Sequence, residues 1–142
     1  MSYSFSKSSK AKLATCVEPL QLLANEVIKE MDCTVIWGHR TKEEQNKLFA
    51  QVPKVTNAKF PQSKHNTYPS VAFDLAPYIA GKGIVWTDRQ CAYFAGRVIQ
   101  LSKELFKGKN YFLVCGADWD SDNDVHDHKL VDICHFELRY KK

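Results

Sequence analysis

Hydrophobic and polar positions in this chain follow two periods. Between residues 8 and 31, Leu13, Val17, Leu20, Ala24, Val27, Ile28 and Met31 recur at spacings of mostly three and four, the period of a helix with one buried face. Pro19 breaks this run into a short first helix and a longer second one that begins near it. Cys33 to Trp37 is rich in β-formers and ends at Gly38, which predicts a strand. Thr41-Lys42-Glu43-Glu44 has the capping-box pattern and predicts a helix to about Gln51. Residues 52–70 read as a polar loop containing Pro53, Pro61 and Pro69. Val71 to Ala76 alternates as a strand, with Val71, Phe73 and Leu75 on one face and Ala72, Asp74 and Ala76 on the other. Thr87-Asp88-Arg89-Gln90 is a second capping box. It opens a helix to about Phe106, with Tyr93, Val98, Leu101 and Leu105 among its buried positions. Tyr111 to Cys115 and Ile133 to Tyr140 complete the strands. The mixture predicts an α+β fold, with helices packed against a small, mostly antiparallel β-sheet.

Composition narrows the setting. The 142 residues suit one compact domain with one core, expected to span 1–142. No apolar run approaches the roughly 20 residues of a membrane helix. The stretch Met1 to Lys7 has no apolar region and no cleavage site of a secretory signal, so accumulation in the cytoplasm is expected. Cys16, Cys33, Cys91, Cys115 and Cys134 are odd in number, widely spaced and free of Cys-x-x-Cys pairs. They are expected to be buried thiols in a reducing compartment rather than a disulfide framework or a thiolate zinc site. The formal charge of +4 is compatible with attraction to acidic cell-wall polymers. It is too small to imply a nucleic-acid partner, and aromatic residues do not alternate with basic ones.

The chemistry concentrates in three side chains. His65 stands in the loop before the middle strand, Asp74 on that strand's less apolar face, and His135 on the polar face of the last strand with Ile133, Glu137 and Arg139. Two histidines and a carboxylate can hold Zn²⁺ and leave a fourth position for water, the arrangement of a catalytic zinc site. Each residue alone is more often an ordinary core or surface group; the combination with its surroundings carries the weight. Asp132, three residues before His135, is the best-placed carboxylate to take a proton from water and pass it to a leaving amine. Glu137 is the second candidate. It reads either as a group that orients a ligand or substrate, or as an exposed strand carboxylate. Arg40 follows the first strand, where a guanidinium could hold a substrate carboxylate or an oxyanion. Its position at a helix start is otherwise mildly unfavourable.

A further set of acids stands at alternate positions in Asp118-Trp119-Asp120-Ser121-Asp122-Asn123-Asp124. Calcium loops space their oxygen ligands in this way. The twelfth position, usually a bidentate glutamate, is Lys129, beside His128. The segment reads as a solvated acidic loop, with Ca²⁺ binding as the alternative.

Ser63-Lys64-His65, then Ala72-Phe73-Asp74, then Asp132-Ile133-Cys134-His135-Phe136-Glu137 resembles peptidase family M15, the zinc DD- and LD-peptidases, and most of all its phage branch of L-alanyl-D-glutamate endopeptidases. Val35 to Gln45 resembles the family's arginine segment, and Gly116-Ala117-Asp118-Trp119 its Gly-x-Asp-Trp stretch. The turn between His65 and Asp74 departs from the pattern, being longer than in many members and lacking their glycine. The resemblance implies zinc on His65, Asp74 and His135, Asp132 as the catalytic carboxylate and Arg40 as the substrate or transition-state arginine. It also implies an endolysin acting on peptidoglycan stem peptides, a monomer that waits in the host cytoplasm until a holin opens the membrane and then reaches the cell wall. A D-alanyl-D-alanine carboxypeptidase or dipeptidase of the same family, a non-catalytic wall-binding module and a structural metal-binding domain are the alternatives.

Overall fold

A computed structural model describes residues 3–127 and 132–142. The elements run α1 (Lys7–Leu13), α2 (Glu18–Glu30), β1 (Cys33–Trp37), α3 (Lys42–Phe49), a 3-10 turn (Lys64–Asn66), β2 (Ala72–Ile79), β3 (Gly83–Ile84), α4 (Asp88–Leu105), β4 (Tyr111–Gly116) and β5 (Asp132–Tyr140). The sheet has the order β1-β2-β5-β4, with the short β3 paired to β2. All its pairings are antiparallel. Helices on an antiparallel sheet make this an α+β fold, as the two periods predict.

The core forms where the helical and strand patterns meet. Leu20, Leu23, Ala24 and Val27 of α2 are fully buried, as are Phe73 and Leu75 of β2 and Phe136 of β5. Each fully buried Leu or Phe contributes about 1.5–3 kcal/mol. The Phe136 ring meets Phe73 and Phe94 edge-on at centroid distances of 6.1 and 6.5 Å, a favourable arrangement of ring quadrupoles. Ser6 caps α1 by accepting from Ser9 N, and Pro19 lies in the first turn of α2 as its fixed φ favours. Among the described residues no helix is long and apolar enough to cross a membrane.

Several expectations change. The strand expected over Val71 to Ala76 runs on to Ile79 as β2, and the small β3 was not foreseen. Thr87 caps α4 by accepting from Gln90 N, without the reciprocal bond of a capping box. Tyr93 is 63% exposed rather than buried, because the buried face of α4 is set by Cys91, Phe94, Ala95 and Val98. Ala72 and Ala76, which share the Asp74 face, are both fully buried, and Ala76 packs with Cys91 and Cys134. All five cysteines are buried free thiols.

Two irregularities position the site. On β4 the adjacent residues Cys115 and Gly116 pair with Phe136 and Asp132, so Ile133, Cys134 and His135 have no opposite number there. This bulge re-aims the start of β5. A Cβ at Gly116 would collide with the Asp132 carbonyl, so the close approach requires glycine. At the end of β1, a Cβ on Gly38 would run into the Lys12 carbonyl and the Thr15 hydroxyl at the end of α1.

Candidate active site

Three ligand atoms converge between β2, β5 and the 3-10 turn. His65 Nε2 lies 3.1 Å from Asp74 Oδ1 and 3.2 Å from His135 Nδ1, and His135 Nδ1 lies 3.2 Å from Asp74 Oδ1. Asp74 and His135 are register partners across β2 and β5, which fixes their spacing. His65 arrives from the loop. Its short turn is held by Ser63 Oγ accepting from His65 N and Asn66 Oδ1 accepting from Ser63 N.

The outer ring nitrogens settle the neutral tautomers. His65 Nδ1 donates to the Gly38 carbonyl at 2.7 Å, and His135 Nε2 donates to Glu137 Oε1 at 2.9 Å. With those nitrogens protonated, Nε2 of His65 and Nδ1 of His135 present lone pairs to the Asp74 carboxylate. Three acceptors then face one another with no proton between them, an arrangement that only a positive centre relieves. A cation fits this donor set, and the three residues form a group able to hold one.

Without a cation, protons on the histidines take that place, and the titration of the site reflects it. Burial would raise the Asp74 carboxyl, but the charge at His65 and the hydrogen bonds from His135 and His65 outweigh it and hold it well below the usual carboxylate range. Burial pulls the His135 ring down, yet its bonds to Asp74 and Glu137 and the charges of Asp74 and Asp132 push it up to about 9. Glu137 is pulled up by burial and more strongly down by His135 and Arg139, whose Nε donates to Glu137 Oε2 at 3.0 Å. Glu137 is thus not an exposed strand carboxylate but a buried group fixing the His135 ring. The Trp119 ring tilts against His135 at a centroid distance of 5.6 Å.

Arg40 stands beside the three converging residues. It is buried, with NH2 donating to Asp74 Oδ2 at 3.1 Å and NH1 to Gln45 Oε1 at 3.3 Å. Its Cζ sits 4.9 Å from the centre of the Trp37 ring. Its backbone N donates to the His65 carbonyl at 2.8 Å. The guanidinium therefore braces the Asp74 carboxylate from the side away from the two histidines. Its Nε is buried without a hydrogen-bond partner among the described residues.

Asp132 stands exposed at the start of β5, close enough for the charges of Asp74, His135, His65 and Arg40 to act on it. Partial desolvation of the carboxyl and the negative charge of Asp74 raise it above the ordinary value, against the lowering effect of the two histidines and Arg40. That direction suits a group that must accept a proton.

Sequence reasoning missed Gln45 and Asn66. Gln45 is fully buried, donates to the Ala58 carbonyl at 2.6 Å and accepts from Arg40 and from Asn66 Nδ2, the latter at 3.4 Å. Asn66 Nδ2 also donates to the Arg40 carbonyl at 3.2 Å. Together they tie α3, the 52–62 loop and the His65 turn into one support for Arg40. Both are polar residues in polar stretches, so no hydrophobic pattern marks them.

The acidic loop gathers oxygens of Asp118, Asp120 and Asp122 within 4.8 Å of one another. Asp118 Oδ2 accepts from Asn123 N at 2.8 Å, and Ser121 and Asn123 take positive φ of 60° and 73°. His128 and Lys129, named above for the end of this loop, lie outside the described residues.

Known proteins share this sequence and this fold. A model of the phage L-alanyl-D-glutamate peptidase family matches residues 1–139. The L-alanyl-D-glutamate peptidase of Escherichia phage T5 is 35% identical over 131 residues, which cover 89% of this chain and 89% of that protein. The crystal structure of the Serratia marcescens L-Ala D-Glu endopeptidase ChiX superposes with a TM-score of 0.69 over 96% of this chain and 90% of its own, at 19% identity. At that identity the likeness bears on the fold.

Proposed function

Because this chain belongs to the phage L-alanyl-D-glutamate peptidase family, we propose that it is a zinc-dependent endolysin that hydrolyses the L-Ala–D-Glu bond of peptidoglycan stem peptides. The observation that carries the zinc reading is the triangle of lone pairs on His65, Asp74 and His135, with sides of 3.1, 3.2 and 3.2 Å. A tetrahedral zinc site with bonds of about 2.0–2.1 Å has ligand–ligand edges of about 3.3–3.4 Å, so the three atoms need move by only a few tenths of an ångström. Three protein ligands leave the open position that catalytic sites keep.

Zinc, when bound, supplies Lewis acidity, which polarises the scissile carbonyl and acidifies water. The remaining work falls to the chain. Glu137 holds His135 in the tautomer whose Nδ1 is free to coordinate, and the Gly38 carbonyl does the same for His65 Nε2. Arg40 engages Asp74 Oδ2 and leaves Oδ1 directed at the histidines. The Asp132 carboxylate takes a proton from the attacking water and returns it to the amine of the departing D-Glu residue. Asp132 is the proposed catalytic residue; Arg40 and Glu137 are positioning residues. Release to the wall through a holin and action as a monomer belong to the same proposal, as does weak calcium binding at Asp118, Asp120 and Asp122.

The test is product analysis on defined murein fragments. Wild-type protein loaded with zinc should free a peptide with D-Glu at its amino end. His65→Ala should lose both zinc and activity. Asp132→Asn should keep stoichiometric zinc and lose about 10²–10⁴-fold in kcat. Release of terminal D-Ala would favour a carboxypeptidase instead, and full activity in Asp132→Asn would remove that residue from the mechanism.

A further inference from the structure

The face of α4 that the mechanism does not use borders a cleft of about 870 Å³, within the roughly 300–1,000 Å³ of ligand-binding clefts. Its far wall includes Ala117, Val125 and Asp132. The cleft therefore reaches the carboxylate assigned to proton transfer. Its near wall is one stripe of α4, with Arg89, Ala92, Gly96 and Lys103 at helical spacing. Two cations thus flank two small residues.

Gly96 is an oddity. A glycine inside a helix costs about 1 kcal/mol relative to alanine, and a Cβ there would meet nothing within 4 Å. No packing in the protein asks for it, whereas a channel kept open for a ligand would. A second cavity of about 380 Å³ shares Ile99, Lys103 and Cys115 with the first and adds Lys107 and Lys141, so the two run on along α4. Among the described residues, Arg89, Lys103, Lys107 and Lys141 form no ion pair. The acids on the combined cleft are Asp88, Asp118 and Asp132, two of them on the far wall.

We propose that the groove along α4, from Asp132 past Gly96 to Lys103 and Lys107, binds the acidic peptide on the D-Glu side of the scissile bond. This rests on the peptidase reading above. A D-Glu joined through its side-chain carboxyl leaves its α-carboxylate free, and the end of the stem carries another. An extended peptide leaving the reaction centre with carboxylates at intervals matches unpaired cations spaced along a groove that begins at the proton donor. Ala92 and Gly96 give its backbone room to lie against the helix.

The experiment compares two substrates: N-acetylmuramoyl-L-Ala-D-Glu, and the same compound extended by the third and fourth stem residues. In wild-type protein the longer substrate should have the higher kcat/KM. In Lys103→Glu the long-to-short ratio should fall about tenfold, mainly through KM, with zinc content and melting temperature kept. Lys103→Arg should restore most of the ratio. Gly96→Phe, which fills the groove without changing charge, should lower it in the same way; if that variant fails to fold, the Lys103 pair decides. A ratio unchanged in Lys103→Glu would overturn the groove assignment. A wild-type protein that cuts neither substrate would instead refute the peptidase reading on which the proposal rests.

Discussion

Adding zinc to the metal-free protein should expel a proton. Three acceptors meet at the site, so something positive must sit among them, and without metal it is a proton on His135. Burial lowers that ring's affinity for protons, but its bonds to Asp74 and Glu137 and the charges of Asp74 and Asp132 raise it from 6.5 to about 9. At roughly 1.4 kcal/mol per pH unit, the folded site holds this proton about 3 kcal/mol more tightly than a free imidazole would. At pH 6.5 the ring is charged in nearly every metal-free molecule, and each zinc bound must displace about one proton from it. Apparent zinc affinity should then rise about tenfold per pH unit between roughly 6.5 and 9 and level off above.

Calorimetric titration with zinc in two buffers of different ionisation enthalpy counts the protons released. Glu137→Gln provides the control. It removes one of the groups that raise the ring, so its proton release should fade at a lower pH than in wild type. The stability of the metal-free protein follows the same group. A raised folded-state pKa gives a contribution that is full below about 6.5 and lost as pH climbs through about 9. Metal-free protein should therefore melt at progressively lower temperature across that window, and zinc-loaded protein should not. Proton release near zero at pH 6.5, or an affinity flat from pH 6.5 to 9, would refute the picture of a proton and a metal competing for one place.

Other perturbations test the support of the site. Arg40→Met removes the Arg40 donor from Asp74 Oδ2 and leaves Gln45 Oε1 with Asn66 Nδ2 alone; it should cost about 1–3 kcal/mol in chemical denaturation and weaken zinc about 10–100-fold in competition with a chromophoric chelator. Gly38→Ala drives a Cβ into the end of α1 and should destabilise by about 1–3 kcal/mol, with zinc loss because the Gly38 carbonyl holds His65. Calcium should raise the melting temperature if Asp118, Asp120 and Asp122 bind it; a titration that moves neither melting temperature nor activity removes calcium from the account.

Two of the three converging residues were legible because they lie on strands with a strong local rhythm. Asp74 interrupts the apolar face pattern of β2, and His135 falls on the polar side of β5, so a period of two was enough to expose them. His65 was legible through its place in a motif, for its own loop has no rhythm. What holds these residues was not legible. Gln45 looks like any polar position on a charged helix, and Asn66 like any loop asparagine; their value comes from which segments meet in space, and a hydrogen-bond partner 21 residues away leaves no mark on local hydrophobicity. Arg40 shows the same limit from the other side. Its charge points to a role facing substrate, while its second task, satisfying a buried carboxylate whose unpaired charge would cost several kcal/mol, shows only in the fold. The bulge in β5 was hidden for a related reason. Alternation along β5 reads smoothly from Ile133 to Tyr140, and only the pairing of Asp132 with Gly116 shows the register break that sets Asp132 both near His65, Asp74 and His135 and at the groove along α4. Residue chemistry thus names the reacting groups, while their aim depends on pairings that only the folded chain defines.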